Sequence, residues 1–302
     1  MKILFLSPNQ AGKYNSGHQR FRNEVARQHK VRFYGPGYKG CPHRKADVDV
    51  RSLFSYSNPP DVVMTYGLRH TWQFKAIGKL KIPKVHFVMD FVPGIPGYRG
   101  WEKSYRKLLE RDKYDLLFCV GTRELPLLGE KAHFLPFSVC PRWFKDMRKD
   151  RTIDVMASSS KNAAVYPNRA AVSKTLCALN LGFDECLLSG VYHDSYLFAL
   201  NRSKILVNSV NYWRYFNYKI LEAASCGCLV LTDKPADTLG FEDRKHFVLY
   251  DGMDDLADKV RYYLGNESKR LQIAQAGQKL THEKHSVSVR VREMSKIMEE
   301  VL

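Results

Sequence analysis

A lysine and a glutamate three positions apart could bind a nucleoside diphosphate. Lys219 and Glu222 precede Gly227 and an apolar run at 228–232, while residues 220–225 favour a helix that the glycine can end in a left-handed cap. Residues three apart share one helix face. A carboxylate accepts hydrogen bonds from both hydroxyls of a ribose, and a cation binds a diphosphate. An ordinary αβ unit with two solvated side chains fits the same pattern.

The elements that position these residues must belong to a globular protein with two domains of ordinary size. The chain has 302 residues, of which 44% are hydrophobic, enough for two cores. The apolar start, residues 1–8, is too short for a secretory signal, and no segment is long enough to cross a bilayer. Seven cysteines without zinc-ligand spacing favour reduced thiols and no metal site. We therefore expect a cytoplasmic protein.

The positive charge is concentrated in the first half of the chain. Residues 1–150 contain 28 Lys and Arg against 13 Asp and Glu, whereas residues 151–302 contain 20 against 18. Such an asymmetry attracts polyanions, among which nucleic acid is the commonest in a cytoplasm. Anionic membranes, phosphate-rich glycans and simple solubility are the alternatives.

Short apolar runs alternate with segments of helical length in both halves, which predicts doubly wound parallel sheets and the α/β class. The predicted strands are residues 2–6, 31–34, 61–65, 84–89, 116–120, 153–157, 186–189, 205–208, 228–232 and 247–250. The predicted helices are residues 19–28, 69–79, 100–111, 168–181, 196–199, 254–264, 267–278 and 287–302. We expect an N-terminal domain at 1–140, a linker at 141–150, a second domain at 151–285 and a C-terminal helix at 286–302.

The second half resembles the C-terminal, nucleotide-binding domain of GT-B glycosyltransferases, and within them the CgeB-related branch of the family-4-like group. The resemblance covers residues 153–290. Its motifs, in the order of that group, are Ile-Asp-Val at 153–155, Pro-Asn-Arg at 167–169, Ser-Lys-Ile-Leu-Val-Asn at 203–208, Tyr-Lys-Ile-Leu-Glu-Ala at 218–223, Cys-Gly at 226–227, Asp-Asp-Leu at 254–256, the runs at 260–264 and 273–278, and His285. It implies the GT-B fold, with two Rossmann-like domains facing across a cleft and the C-terminal helix returning to the first domain.

The resemblance also implies a nucleotide diphosphate sugar as co-substrate, with a UDP-sugar favoured, and no tightly bound cofactor. Glu222 would bind the ribose, and Lys219 with Arg169 would neutralise the diphosphate that leaves. The further donor-binding candidates are Arg214, Asn217, Tyr218, Ser160, Lys161 and Gly190. Two positions depart from relatives: Arg214 stands where many carry a second glutamate, and Met89 where a catalytic histidine often precedes an aspartate.

The resemblance further implies that the first domain binds the acceptor, and a direct transfer then requires a base within reach of the acceptor proton. Asp90, at the end of a predicted strand, is the first candidate and His18 the second. Acceptor-binding candidates are Asn15, Ser16, Gly17, Arg20, Arg22, Arg69, Arg99 and Trp101.

The charge favours a polyanionic acceptor. We expect transfer to a hydroxymethylated pyrimidine in DNA, as some bacteriophage enzymes perform in the host cytoplasm, which implies base flipping. A cell-envelope or spore glycan is the alternative acceptor. A non-catalytic nucleic-acid-binding protein on a degenerate transferase scaffold is the alternative of another class. A nicotinamide-dependent oxidoreductase is disfavoured because the first loop lacks the glycine fingerprint and its acidic partner.

Overall fold

The protein, seen in a computed structural model, forms two compact units. The structure describes residues 1–9, 17–41, 47–55, 57–89, 91, 94, 99–157, 163–181 and 193–302. The first unit comprises Met1–Pro136 with Val291–Leu302, and the second comprises Phe137–Arg290. Residues 141–150, expected as a linker, belong to the second unit. The first unit carries 26 Lys and Arg against 14 Asp and Glu, and the second carries 22 against 17.

The first unit alternates strands and helices as the apolar runs predict. Its strands are β1 (Lys2–Leu6), β2 (Lys30–Tyr34), β3 (Val48–Asp49), β4 (Val62–Tyr66), β5 (Phe74–Lys75), β6 (Lys84–Val88), β7 (Leu116–Cys119) and β8 (Ala132–Phe134). Its helices are α1 (Gly17–Gln28), α2 (Leu68–Thr71), α3 (Arg99–Asp112) and α4 (Leu125–Leu128).

Six parallel strands form the main sheet of the first unit, counted over the part of the chain that the structure describes. Their order is β2-β1-β4-β6-β7-β8, and Ile3 of β1 pairs with Val31 of β2 and with Val62 of β4. Strand β2 lies on one side of β1, and the later strands β4, β6, β7 and β8 lie on the other side. The sheet is therefore doubly wound, and its topological switch point lies between β1 and β4. The strands β1, β4, β6 and β7 are covered on both faces, which is why most of their residues are apolar, whereas the edge strand β2 has no buried residue.

The predicted helix at 69–79 is wrong in most of its length. Helix α2 ends at Thr71, whose hydroxyl donates to the carbonyl of Gly67 at 2.6 Å, and β5 follows at once. Ala76 adopts a left-handed φ of 62°, a conformation that no α-helix interior contains. The segment instead pairs β5 with β3, whose partner residues lie 26 positions earlier, at Val48 opposite Phe74.

The second unit contains β9 (Ile153–Ala157), β10 (Ser203–Asn208), β11 (Leu229–Thr232) and β12 (Val248–Leu249). Its helices are α5 (Arg169–Ala178), α6 (His193–Arg202), α7 (Tyr218–Ser225), α8 (Gly252–Gly265), α9 (Glu267–Lys284) and α10 (Val287–Val301), the last of which continues into the first unit. The described strands are parallel in the order β12-β11-β10-β9. The strand predicted at 186–189 lies outside the described residues.

The sheet of the second unit is covered on both faces. Helices α6 and α7 pack on one face with Leu200 and Ile220, and α5 and α8 pack on the other with Leu176 and Val260. Two parallel-stranded α/β units with covered faces confirm the predicted fold class.

Arg151 fastens the carboxyl ends of α6 and α7. One guanidinium nitrogen donates to the Ser203 carbonyl at 2.5 Å and the other donates to the Cys226 carbonyl at 2.7 Å. Helix α7 ends at Ser225, and Gly227 follows its cap residue Cys226 with a φ of 76°, which suits glycine. An added Cβ at Gly227 would lie 2.9 Å from the Arg151 guanidinium. The two helices that pack on this face of the sheet therefore share one anchor at their carboxyl ends.

Candidate functional site

Helix α7 starts beside the carboxyl end of β10 because an asparagine caps it there. The Asn217 side chain accepts a hydrogen bond from the backbone N–H of Lys219 at 3.1 Å and donates to the Asn208 side chain at 3.0 Å. Asn208 is the last residue of β10 and is buried. The cap thus places the first turn of α7 at the edge of a parallel sheet where ligands of α/β folds bind.

Glu222 is buried on α7 and has a tyrosine as hydrogen-bond partner. The carboxylate is 3% exposed and accepts a hydrogen bond from the Tyr196 hydroxyl of α6 at 3.0 Å. Tyr196 is itself buried, and burial together with the charge of Glu222 raises the pKa of its hydroxyl well above the usual value. The phenol therefore stays protonated and acts as a donor at every ordinary pH.

Lys219 and Arg169 bring two cations to the same place. Arg169 opens α5, is 5% exposed, and has its guanidinium carbon 3.3 Å from the centre of the Tyr166 ring. Burial, and then the charge of Arg169, lower the pKa of Lys219 to about 8, while Glu222 acts in the opposite direction. Burial also lowers the pKa of Arg169. Because the charges of Arg169 and Glu222 both act on the pKa of Lys219, this lysine lies within electrostatic range of both groups in a poorly solvated environment.

Asp233 joins three segments at this edge of the sheet. Its carboxylate accepts from the backbone N–H of Val210 at 2.7 Å and from the Asn168 side chain at 3.2 Å. Asp233 is buried, and burial raises its pKa, opposed by these hydrogen bonds and by the charge of Arg214. The carboxylate therefore ties the loop after β10 and the start of α5 to the end of β11.

Arg214 occupies a strained position in the loop between β10 and α7. Its φ is 59°, and its backbone is held by the Asn211 carbonyl and the Ala236 N–H, both at 2.8 Å. The guanidinium donates to the Lys234 carbonyl and is half-buried. A left-handed arginine is uncommon and persists only where the surroundings hold it.

Of the remaining donor-binding candidates, Tyr218 packs on another aromatic ring, and the other three lie in segments that the structure does not describe. The Tyr218 ring packs against the Phe137 ring at a tilt of 31°, with the ring centres 4.1 Å apart. Ser160, Lys161 and Gly190 lie outside the described residues.

His18 stands at the switch point of the first unit, on the first turn of α1. Its Nδ1 shares a hydrogen bond with the hydroxyl of Tyr66, the last residue of β4, and the ring centres are 5.3 Å apart. Burial, and then the charge of Arg22, lower the pKa of His18 to about 3. The imidazole is therefore neutral at physiological pH but is a weak base.

Several acceptor-binding candidates differ from their expected exposure. Arg22 is fully buried, with its guanidinium carbon 5.3 Å from the centre of the Tyr66 ring, so it offers no charge to an external polyanion. Trp101 is partly buried and packs on the core of the first unit, and Arg20 is half-buried. Gly17 is the first residue of α1. The base candidate Asp90, together with Asn15, Ser16 and the side chains of Arg69 and Arg99, lies outside the described parts.

Sequence reasoning missed Tyr196 and Asp233. A tyrosine on the apolar face of a helix needs a partner for its hydroxyl, and an aspartate directly after an apolar strand stands at the carboxyl edge of the sheet. Both signals are present in the sequence.

Comparison with known proteins identifies the family. The sequence model of the glycosyl transferase-like family matches residues 142–296. No curated protein matches the chain. Among the described residues, no helix combines the length and the apolarity needed to cross a membrane.

Three solved structures illustrate the fold. Sucrose-phosphate synthase from Thermosynechococcus elongatus is 11% identical, with a TM-score of 0.69 over 99% of this chain and 98% of that one. Anabaena Alr3699/HepE in complex with UDP-glucose is 12% identical, with a TM-score of 0.71 over 99% and 100%. A glycosyltransferase from Rickettsia africae ESF-5 is 14% identical, with a TM-score of 0.63 over 99% and 98%. The chain therefore belongs to the glycosyl transferase-like family and is a glycosyltransferase with the GT-B fold.

Proposed function

We propose that the second unit binds a UDP-sugar and that the enzyme transfers its sugar to a hydroxyl of an anionic acceptor. The observation that carries this proposal is the grouping of two cations, the partly buried Lys219 and the buried Arg169, with the buried carboxylate of Glu222 at the carboxyl edge of a parallel sheet. The Anabaena protein that shares the fold was solved with UDP-glucose and with UDP, which favours uridine as the nucleoside.

In this proposal the donor site works by electrostatic stabilisation. When the glycosidic bond to the diphosphate breaks, negative charge grows on the phosphate oxygen that leaves. Lys219 and Arg169 are already largely removed from water before a ligand arrives, so their charges act strongly on the charge of the leaving phosphate. Glu222 accepts hydrogen bonds from the two ribose hydroxyls and anchors the nucleoside. Arg214, near Asp233 in the same edge, adds a further cation for the diphosphate.

The general base in this proposal is Asp90. With its pKa lowered to about 3, His18 is a weaker base than an ordinary aspartate, whose pKa is about 3.9. His18 and Tyr66 instead contribute neutral hydrogen-bonding groups at the switch point of the first unit.

The acceptor we propose is hydroxymethylated DNA, with an envelope or spore glycan that contains phosphate as the alternative. The support is the excess charge of the first unit, 26 Lys and Arg against 14 Asp and Glu. Lys103 and Lys107 are exposed on α3, whereas Arg106 pairs with Glu102 at 3.0 Å and is partly neutralised. The same charge also fits the non-catalytic alternative, a protein that binds nucleic acid without turnover.

The donor half of the proposal is tested by calorimetric titration of UDP into the purified protein and into Glu222→Ala. We expect the variant to lose about tenfold or more in affinity, because hydrogen bonds to a charged group contribute about 1.5–3 kcal/mol. Glu283→Ala, an exposed position on α9, is the matched control and should bind UDP normally. Unchanged UDP affinity in Glu222→Ala would show that the nucleotide binds elsewhere.

The acceptor half needs a separate experiment. The protein is incubated with several UDP-sugars and either hydroxymethylated duplex DNA or a phosphate-containing glycan, and the products are digested and analysed by mass. A hexosyl adduct on the nucleoside supports the DNA acceptor, and an adduct only on the glycan supports the alternative. Steeply salt-dependent DNA binding without any adduct would favour the non-catalytic protein.

A further inference from the structure

We propose that Tyr196 is a positioning residue that orients the Glu222 carboxylate for the two ribose hydroxyls and so determines the preference for ribonucleotides. This inference rests on the proposed donor site and assigns a role to a residue outside it. The two side chains come from different helices, α6 and α7, and lie 26 residues apart in the chain.

The first step of the argument is that Glu222 needs a buried donor. Its side chain is 3% exposed, and a carboxylate taken out of water must be hydrogen-bonded to remain ionised. The Tyr196 hydroxyl at 3.0 Å supplies such a bond to one carboxylate oxygen. Because each carboxylate oxygen has two lone pairs, this bond does not prevent the same oxygen from accepting another.

The second step is that Tyr196 is itself held rigidly. Its ring is 5% exposed and meets Phe144 edge-on, with ring centres 6.2 Å apart. Its raised pKa keeps the proton on the phenol, so the direction of the hydrogen bond is fixed. A glutamate side chain has three rotatable bonds, and one fixed donor removes most of its freedom before a ligand arrives.

The third step is that the two helices are tied to each other. Arg151 donates to the carbonyl of Ser203, which directly follows α6, and to the carbonyl of Cys226, which directly follows α7. The Cys228 thiol also donates to the Leu200 carbonyl of α6 at 2.9 Å. The distance between Tyr196 and Glu222 is therefore set by the fold, which is what a preorganised binding site requires.

The orientation of the Glu222 carboxylate affects only the hydrogen bonds to the ribose. A vicinal diol gains from a carboxylate held in one orientation, because both hydroxyls can donate to it at once. A nucleotide without these hydroxyls gains nothing from the orientation of Glu222. Loss of the phenolic hydroxyl should therefore weaken the binding of UDP and leave the binding of its 2′,3′-dideoxy analogue unchanged.

The test compares the affinities of UDP and 2′,3′-dideoxyuridine diphosphate for the intact protein by calorimetry. In Tyr196→Phe we expect about tenfold weaker UDP binding and a change of less than about twofold for the dideoxy analogue. The matched control is Tyr114→Phe in the first unit, where a buried tyrosine likewise donates to a carboxylate, that of Asp112, at 3.0 Å. It should lose stability without changing either affinity.

The affinities of the two nucleotides distinguish failure of the Tyr196 positioning role from failure of the proposed donor site. Equal losses for both nucleotides in Tyr196→Phe, or no loss for UDP, would overturn the positioning role. In a Glu222→Ala background the Tyr196→Phe change should have no additional effect on UDP. If Tyr196→Phe fails to fold, the wild-type protein still provides a test, because equal affinity for the two nucleotides contradicts the proposal. Unchanged UDP binding in Glu222→Ala would instead refute the proposed donor site itself.

Discussion

Binding of UDP should weaken as the pH rises through the pKa of Lys219. That pKa is lowered to about 8 by burial and by the charge of Arg169, so the lysine loses its proton in an accessible range. About 90% of Lys219 is charged at pH 7 and about 10% at pH 9. If only the charged form neutralises the diphosphate, the dissociation constant of UDP rises about tenfold between these values, or about 1.4 kcal/mol. The sign follows because a bound diphosphate stabilises the protonated lysine.

The assay is calorimetric titration of UDP at half-unit steps from pH 7 to pH 9, with the fold monitored by circular dichroism. The terminal phosphate of UDP, with a pKa of about 6, keeps its charge over this range. Lys219→Arg should bind UDP with a flat profile because guanidinium stays protonated, and Lys219→Met should bind weakly with a flat profile. A tenfold fall that persists in Lys219→Met would refute the reasoning, since another group would then be titrating.

Three further substitutions have expected outcomes. Glu222→Gln keeps the size of the side chain but removes its charge, so UDP affinity should fall by about tenfold or more in the same titration. Arg214→Ala should weaken UDP binding, because the guanidinium is proposed to bind the diphosphate. An unchanged dissociation constant for UDP would show that Arg214 is not part of the donor site. Gly277→Ala should lower the free energy of unfolding by about 1–3 kcal/mol in urea denaturation, because its Cβ would lie 2.2 Å from the His246 carbonyl oxygen. Wild-type stability in Gly277→Ala would show that α9 can move aside.

The strands and long helices were predictable because most strands of the two main sheets are buried on both faces. The apolar runs at 2–6 and 229–232 need no tertiary information, since a strand covered on both faces consists of apolar residues throughout. Helix α3 was expected within one residue of its bounds. The pairing of β3 with β5 was not predictable, because each strand has two residues and their contact is non-local.

The charged residues of the site were harder to predict than its location. Helical spacing predicts that Lys219 and Glu222 lie on the same face of the helix. It does not predict the burial of the Lys219 ammonium, which is the main cause of its lowered pKa. The sequence pattern indicates a surface cation at Arg22, yet its guanidinium lies near the Tyr66 ring, which the sheet brings from 44 residues away. Tyr196 was missed for the same reason, because its partner stands on another helix.

The buried segment before β9 has a consequence for the design of truncated proteins. Phe144 is 1% exposed in the core of the second unit, its carbonyl accepts a hydrogen bond from Ser225, and the Met147 N–H donates to the Asn201 side chain at 2.6 Å. A fragment that starts at residue 151 would expose the cavity that Phe144 fills, at a cost of about 3–5 kcal/mol by analogy with phenylalanine truncation. A fragment intended for nucleotide binding should therefore begin no later than Phe137.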